Sequence, residues 1–414
     1  MSKTISDIAS VIDCLHATPE YSSSGYPMVR VENVKNDFIN LSECYLVDEA
    51  TCDYHNKNYT PKRDDIIITR VGSFGLIALV DTDDKFCLGQ NIAIISPYQN
   101  GKFLYYYLQS PYIQKFIHGN SGGSSYKSLS LEHIKRLPLV IDGLKISKIE
   151  SILYNIDTKI HNNNAICADL EGMAKLLYDY WFVQFDFPDE NGKPYKSSGG
   201  KMVWNEELKR EIPYGWEVNS LSEICDLSNG INYDKNEPGN KEYKIVNVRN
   251  ITASSLLLNE EDFDRITLKS SLGDKYLIHD NDILIARSGT PGAIRLLEKV
   301  NDNTIYCGFI IRCSLYDKAL RNYICYYLKM FEGTNATKTG GSILQNVSQE
   351  TLNMIKIPMP KSDLIASFNK STAPIIKNMQ NSINENQELA SLRDFLLPML
   401  MNGQVKVKKE DGNE

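Results

Sequence analysis

The sequence predicts an α+β chain: two β-rich domains related by internal duplication, separated by two long helices that form an antiparallel coiled coil. Three observations predict it. Six short segments recur in one order about 218 residues apart. Each copy opens with short β-branched runs bounded by Gly, Asp and Asn, the pattern of strands. Each copy is followed by an apolar seam whose spacing alternates three and four residues, the pattern of a heptad coil.

The copies match segment by segment. ISDI (Ile5–Ile8) matches LSEI (Leu221–Ile224), and YPMVRVENV (Tyr26–Val34) matches YKIVNVRNI (Tyr243–Ile251). RDDIIITRVGSFG (Arg63–Gly75) matches DNDILIARSGTPG (Asp280–Gly292). GQNIAII (Gly89–Ile95) matches GFIIRC (Gly308–Cys313), and YYYLQS (Tyr105–Ser110) matches YYLKM (Tyr326–Met330). SGGSSYKSLSLEHIKRLPLVI (Ser121–Ile141) then matches TGGSILQNVSQETLNMIKIPMP (Thr339–Pro360). Any one match could arise by chance; six in order with a near-constant offset are a duplication.

Within each copy, VRVENV and IIITRV read as strands. The RxGxxG segments (Arg70, Gly72, Gly75; Arg287, Gly289, Gly292) follow a strand, and their glycines permit a tight turn that displays the arginine. They lack the third glycine and the following helix of a dinucleotide fingerprint. A Tyr-rich helix, a polar Gly/Ser loop and a short helix N-capped by Ser130 or Ser348 complete the unit.

The first seam runs Ile146, Ile149, Leu153, Ile156, Ile160, Asn163, Cys167, Leu170, Ala174, Leu177, Trp181. Its one polar member, Asn163, sits mid-seam, where an asparagine fixes register at some cost in stability. The second seam runs from Ile365 to Met399, aligns Asn386 with Asn163, and carries Pro374 and Pro398, which should start, kink or fray it. The predicted boundaries are 1–142 for the first domain, 143–185 for the central helix and 186–218 for a Gly/Pro/Ser-rich linker. The second domain takes 219–360, the C-terminal helix 361–405 and a charged tail 406–414.

Composition excludes several functions. At 414 residues the chain suits two or three domains. No apolar run approaches a membrane span, and the N-terminus lacks a signal-peptide layout. The nine cysteines occur without CxxC or Cys/His ligand spacing, as in a reduced cytoplasmic protein with no metal site. The net charge of −7 argues mildly against nucleic acid, but residues 142–190 hold nine acids against four lysines and leave the rest nearly balanced. No P-loop, GxSxG, HExxH or adenine-methyltransferase motif is present, and the six histidines do not cluster, so no catalytic residue is assigned. What remains is recognition. Arg70, Lys127, Arg287 and Lys338 sit on Gly/Ser/Thr loops, with Tyr126 beside Lys127. Taken singly each is a solvated charge; the positional pairing of Arg70 with Arg287 raises those two as DNA contacts.

Four further stretches, IPYGWEV (Ile212–Val218), LLYDYWFVQFDFP (Leu176–Pro188), the linker Glu190–Pro213 and LASLRDFLLPMLMNGQV (Leu389–Val405), complete a pattern that resembles the specificity subunits of Type I restriction-modification enzymes. The resemblance covers nearly the whole chain. It implies two target recognition domains, each reading half of a bipartite, asymmetric sequence in double-stranded DNA, held at a set separation by the helices. It implies two modification subunits that carry adenine methylation and two restriction subunits that act as motor-nucleases. S-adenosylmethionine, ATP and Mg would be used by those partners, with no cofactor in this chain. The competing expectation is a non-enzymatic scaffold whose two domains bind a sugar or peptide.

Overall fold

The computed structural model describes residues 3–119, 128–141, 144–234, 238–253, 255–332 and 347–405. They divide into two compact units, Met1–Ile160 with Glu388–Glu414, and His161–Gln387.

In the first unit, strands β1 (Ala9–Asp13), β2 (Tyr26–Val29), β3 (Tyr45–Val47), β4 (Ile66–Thr69), β5 (Ile77–Leu79), β6 (Cys87–Leu88) and β7 (Ile92–Pro97) form two sheets, ordered β1-β7-β4-β5 and β3-β2-β6. The first is antiparallel throughout; in the second, β2 runs antiparallel to β3 and parallel to β6. The run IIIT of β4 is buried along its length because both faces of its sheet are covered. Alternation splits it: Ile66 and Ile68 join one core with Ile77, Leu79 and the helix Gly101–Gln109, while Ile67 joins a second with Ala78, Ile94 and Val29 of β2.

The second unit repeats this plan. It contains β8 (Met202–Asn205), β9 (Arg210–Pro213), β10 (Glu217–Ser220), β11 (Cys225–Asn229), β12 (Lys241–Val246), β13 (Asp264–Leu268), β14 (Asp282–Ala286), β15 (Ile294–Leu296), β16 (Thr304–Tyr306), β17 (Ile310–Leu315) and β18 (Lys356–Met359). The sheets β11-β17-β14-β15 and β13-β12-β16 have the orders and strand directions of the first unit. Ile283 and Ile285 face one core, and Leu284 and Ala286 the other. Buried Asp65 and Asp282 each accept a backbone N–H three residues back, from Lys62 (2.9 Å) and His279 (2.7 Å), and so cap equivalent turns before β4 and β14.

Three expectations are corrected. VRVENV is not one strand: β2 ends at Val29 and Val31–Asn33 coil into a 3₁₀ turn, matched by a helix at Val248–Ala253. The composition of residues 186–218 suggested a linker, yet they form the β8–β9 hairpin and β10, which pairs with β18. Phe185, Phe187, Ile212 and Trp216 are buried in the second unit's core, and Phe187 stacks on Trp216. The C-terminal helix, Ser362–Met401, runs through Pro374 and Pro398 without a break. Burial of Phe368, Thr372, Ile376 and Met379 about Pro374 outweighs one missing hydrogen bond.

The other long helix is Ile146–Tyr178. Within the first unit its Asp157, almost wholly buried, pairs with Arg393 of the C-terminal helix at 2.8 Å and accepts the Tyr106 hydroxyl at 2.7 Å. Leu153, Leu397, Leu400 and Met401 join the same core. Within the second unit Asn163 lies against Asn386, and the Cys167 thiol donates to the Met379 carbonyl at 3.6 Å. Partner numbers fall as helix numbers rise, so the pairing is antiparallel.

The buried ion pair supplies a stability test. Arg393→Leu leaves the Asp157 carboxylate buried without its cation and should cost about 3 kcal/mol in denaturant unfolding. The triple change Asp157→Leu, Arg393→Leu and Tyr106→Phe should recover most of that loss, because neither an uncompensated charge nor an unpaired hydroxyl remains.

Candidate nucleic-acid interface

Each unit carries a groove at the same place in its fold. In the first, Arg30–Glu32, Val71, Gly72 and Gly89–Asn91 line a cavity of about 440 Å³. In the second, Asn247–Arg249, Asp264 and Cys307–Phe309 line one of about 590 Å³. The duplication places Arg30 on Asn247 and Glu32 on Arg249, and the strand registers place Gly89 on Cys307, their N–H groups donating to Val29 O and Val246 O.

The RxGxxG turns stand beside these grooves and are superimposable in their bonding. Gly72 and Gly75 have φ of +78° and +84°, Gly289 and Gly292 of +79° and +84°, conformations open to glycine at little strain. Gly75 N–H donates to Thr69 O, and Gly292 N–H to Ala286 O, both at 2.9 Å. Arg70 N–H donates to Asn91 O at 2.8 Å and Arg287 N–H to Phe309 O at 2.9 Å.

The two arginine side chains differ. Arg70 is half-buried, ion-paired through Nη1 with Asp13, and donates from Nε to Leu129 O at 3.1 Å. Arg287 is exposed and donates from Nη1 to Gly308 O at 3.3 Å. The sequence signal marked both as displayed, but a partner 57 residues away ties down the first. Asp13, Cys14 and His16 bring ligand-type atoms within 4.8 Å of one another. The Arg70 guanidinium already neutralises Asp13, and burial pushes the Cys14 thiol up, so the group is an ion-pair cluster. Burial likewise pushes up the Cys307 thiol on the second groove.

Tyr126, Lys127 and Lys338 lie outside the described residues. Ser130 and Ser348 cap their helices, accepting from His133 N–H and Thr351 N–H at 3.1 Å. Asn163 and Asn386 meet directly: Asn163 Nδ2 donates to Asn386 Oδ1 (2.9 Å) and Glu385 Oε2 (2.8 Å), and Asn386 Nδ2 donates to Asn164 Oδ1 (2.8 Å).

Sequence reasoning missed the groove residues themselves. Buried Asn33 accepts the Arg30 N–H at 2.8 Å and donates to Glu43 O at 3.3 Å; buried Asn250 accepts the Asn247 N–H at 2.8 Å and donates to Asp262 O at 2.8 Å. The same asparagine thus fixes the same turn twice, while residues 30 and 247 differ. The signal was present in the alignment of YPMVRVENV with YKIVNVRNI, where this asparagine is shared and its neighbours are not.

A duplicated α+β fold with two equivalent, differently lined grooves defines a two-headed recognition protein. The family described as Type I restriction modification DNA specificity domain matches residues 1–171 and 213–393, and the chain belongs to it as a non-catalytic DNA-recognition component. The chain is 24% identical over 362 residues to the specificity subunit of the type I restriction enzyme MjaIX of Methanocaldococcus jannaschii, covering 83% of this chain and 78% of that one. It is also 24% identical to the specificity subunit of the HindI enzyme of Haemophilus influenzae, with 83% and 87% covered. The S subunit of the type I system of M. genitalium shares the fold, with a TM-score of 0.52 at 16% identity and 97% and 95% coverage.

Removing either turn-fixing amide tests its role. Asn33→Ala and Asn250→Ala should each cost about 1–3 kcal/mol by leaving backbone groups unpaired. Hydrogen exchange should show faster opening at residues 30–34 or 247–251 of the altered unit.

Proposed function

We propose that the chain reads a bipartite, asymmetric sequence in double-stranded DNA, one half-site per repeat with an unread gap between them. It directs adenine methylation and ATP-dependent restriction carried out by partner subunits. The observation that carries this reading is the pair of equivalent grooves with unlike linings. An identical pair would suit a palindrome; an unlike pair suits two different half-sites. Arg287 and Arg70, on matching turns, contact DNA beside the grooves, the second after leaving Asp13. Tyr126, Lys127 and Lys338 add contacts from the polar loops. Asn163 and Asn386 set the register of the helices.

The partners are two modification subunits and two restriction subunits, which use S-adenosylmethionine, ATP and Mg. The complex works in the cytoplasm, beside chromosomal DNA. A surface for the modification subunits is offered by Ile166, Met173, Leu176 and Tyr180, which are spaced seven, three and four residues apart and are 46%, 56%, 69% and 40% exposed. That spacing puts Ile166, Met173 and Leu176 on one face of the helix Ile146–Tyr178, which buries Cys167, Ala174 and Tyr178, and Tyr180 follows in the π-helical turn Asp179–Val183. An apolar stripe this exposed fits a protein partner better than DNA.

Duplex binding by the complex of this chain with its modification subunit tests the DNA reading. Affinity should fall about a thousandfold between roughly 50 and 200 mM salt, as phosphate contacts release counterions. Long-read methylation mapping should return two unlike half-sites. Binding that is absent at low salt, or indifferent to salt, would favour the scaffold that binds another ligand. The docking surface has its own test: Met173→Glu with Leu176→Glu should abolish co-purification of the modification subunit while leaving the melting temperature unchanged. Unaltered co-purification would rule this face out.

A further inference from the structure

The two grooves differ most informatively at one matched pair of positions. Residue 30 and residue 247 each begin a helical turn fixed by a buried asparagine, and each lines its groove. The residue that supports each from the neighbouring strand is also matched. Tyr45 of β3 pairs in register with Met28, and Asp264 of β13 pairs with Ile245, the counterpart of Met28.

The support differs in kind. The Arg30 guanidinium lies over Tyr45 and Tyr21, 5.2 and 5.8 Å from the ring centroids, and 3.4 Å from a Glu32 oxygen. Stacking holds the plane of a guanidinium without consuming its N–H donors. Arg30 lines the groove, and its donor fork, once Nη1 leaves Glu32, matches the two acceptors on the major-groove edge of guanine. Asn247 instead donates one Nδ2 proton to Asp264 Oδ2 at 2.9 Å, and Arg249 donates to the other oxygen at 2.6 Å. The second Nδ2 proton and Oδ1 of Asn247 then match the acceptor and donor of adenine.

We propose that Arg30 and Asn247 are the equivalent base-reading residues of the two repeats, Arg30 specifying a guanine in one half-site and Asn247 an adenine in the other. This rests on the DNA-reading function above and assigns it to side chains. Tyr45 and Asp264 act as positioning residues.

The full chain, co-expressed with its modification subunit in a host lacking methylation, is mapped by long-read sequencing, and its affinity is measured on duplexes varied one base at a time. Arg30→Gln should lower discrimination at one guanine of one half-site by about ten- to a hundredfold and leave the other half-site intact. Asn247→Ala should do the same at one adenine of the other half-site. Arg30→Asn should shift the guanine preference toward adenine, and Tyr45→Ala should weaken the guanine preference while leaving its position unchanged. The salt dependence should stay that of the unaltered chain, since a base contact neutralises no phosphate. An unchanged motif in the Arg30 and Asn247 variants, or a uniform loss across all sequences with a shallower salt slope, overturns the assignment. If Arg30→Gln lowers the melting temperature, Arg30→Met, which keeps the length of the side chain and removes its donors, is judged by the same two outcomes. The function itself fails only if the unaltered complex binds no DNA and returns no motif, a result separate from any variant.

Discussion

Each repeat depends on one buried side-chain amide. A helical turn that breaks away from a strand strands backbone donors and acceptors where water does not reach. Asn33 and Asn250 answer this with both ends of the same group, accepting from the start of the turn and donating to a carbonyl from the neighbouring segment. With the turn fixed, residues 30 and 247 leave the strand at a defined angle and stand on the groove. Without it, the β-branched runs about them would continue the sheet and turn the same side chains toward its faces.

The division of labour follows from that support. Beneath the grooves the two units agree in strand order, register, positive-φ glycines and buried aspartate caps. At the grooves they disagree: a stacked arginine in one, a carboxylate holding an asparagine and an arginine in the other. Packing constrains the first set, because a changed volume or an unpaired polar atom inside costs stability. Nothing inside constrains the second. A duplicated scaffold can therefore keep its core while its two readers drift toward different bases, and unlike half-sites are the expected end of such drift.

Much of the fold was legible in the sequence. The repeat order, the strand IIIT, the serine caps and the meeting of Asn163 with Asn386 all rest on local patterns or on one alignment. The turn after Val29 was not, because alternation in VRVENV reads as strand while a side-chain hydrogen bond from Asn33 competes for the same backbone. The hairpin within residues 186–218 was hidden by turn-forming composition, although Ile212 and Trp216 supply the core contacts that order it. Burial on both sides carried the C-terminal helix through Pro374 against a strong local breaker. The pairing of Arg70 with Asp13 and the stacking of Arg30 on Tyr45 depend on residues brought close only by folding, which single-residue reading does not see.

We propose that Asn163 and Asn386 give the helix seam a unique register at some cost in stability. Asn163 is 1% exposed, and a leucine there would bury more apolar surface. Yet an apolar seam with regular spacing accepts several registers, each offset by a heptad. An asparagine is satisfied in one. Here Asn163 meets Asn386 and Glu385, Asn386 reaches back to Asn164, and a shift of seven residues would leave those amides without partners. The penalty for an unpaired buried amide, about 1–3 kcal/mol, is then a penalty on every wrong register and not on the native one. For a protein whose proposed task is to hold two readers at a fixed spacing, a helix pair with one satisfied register matters more than a seam of greater apolar area.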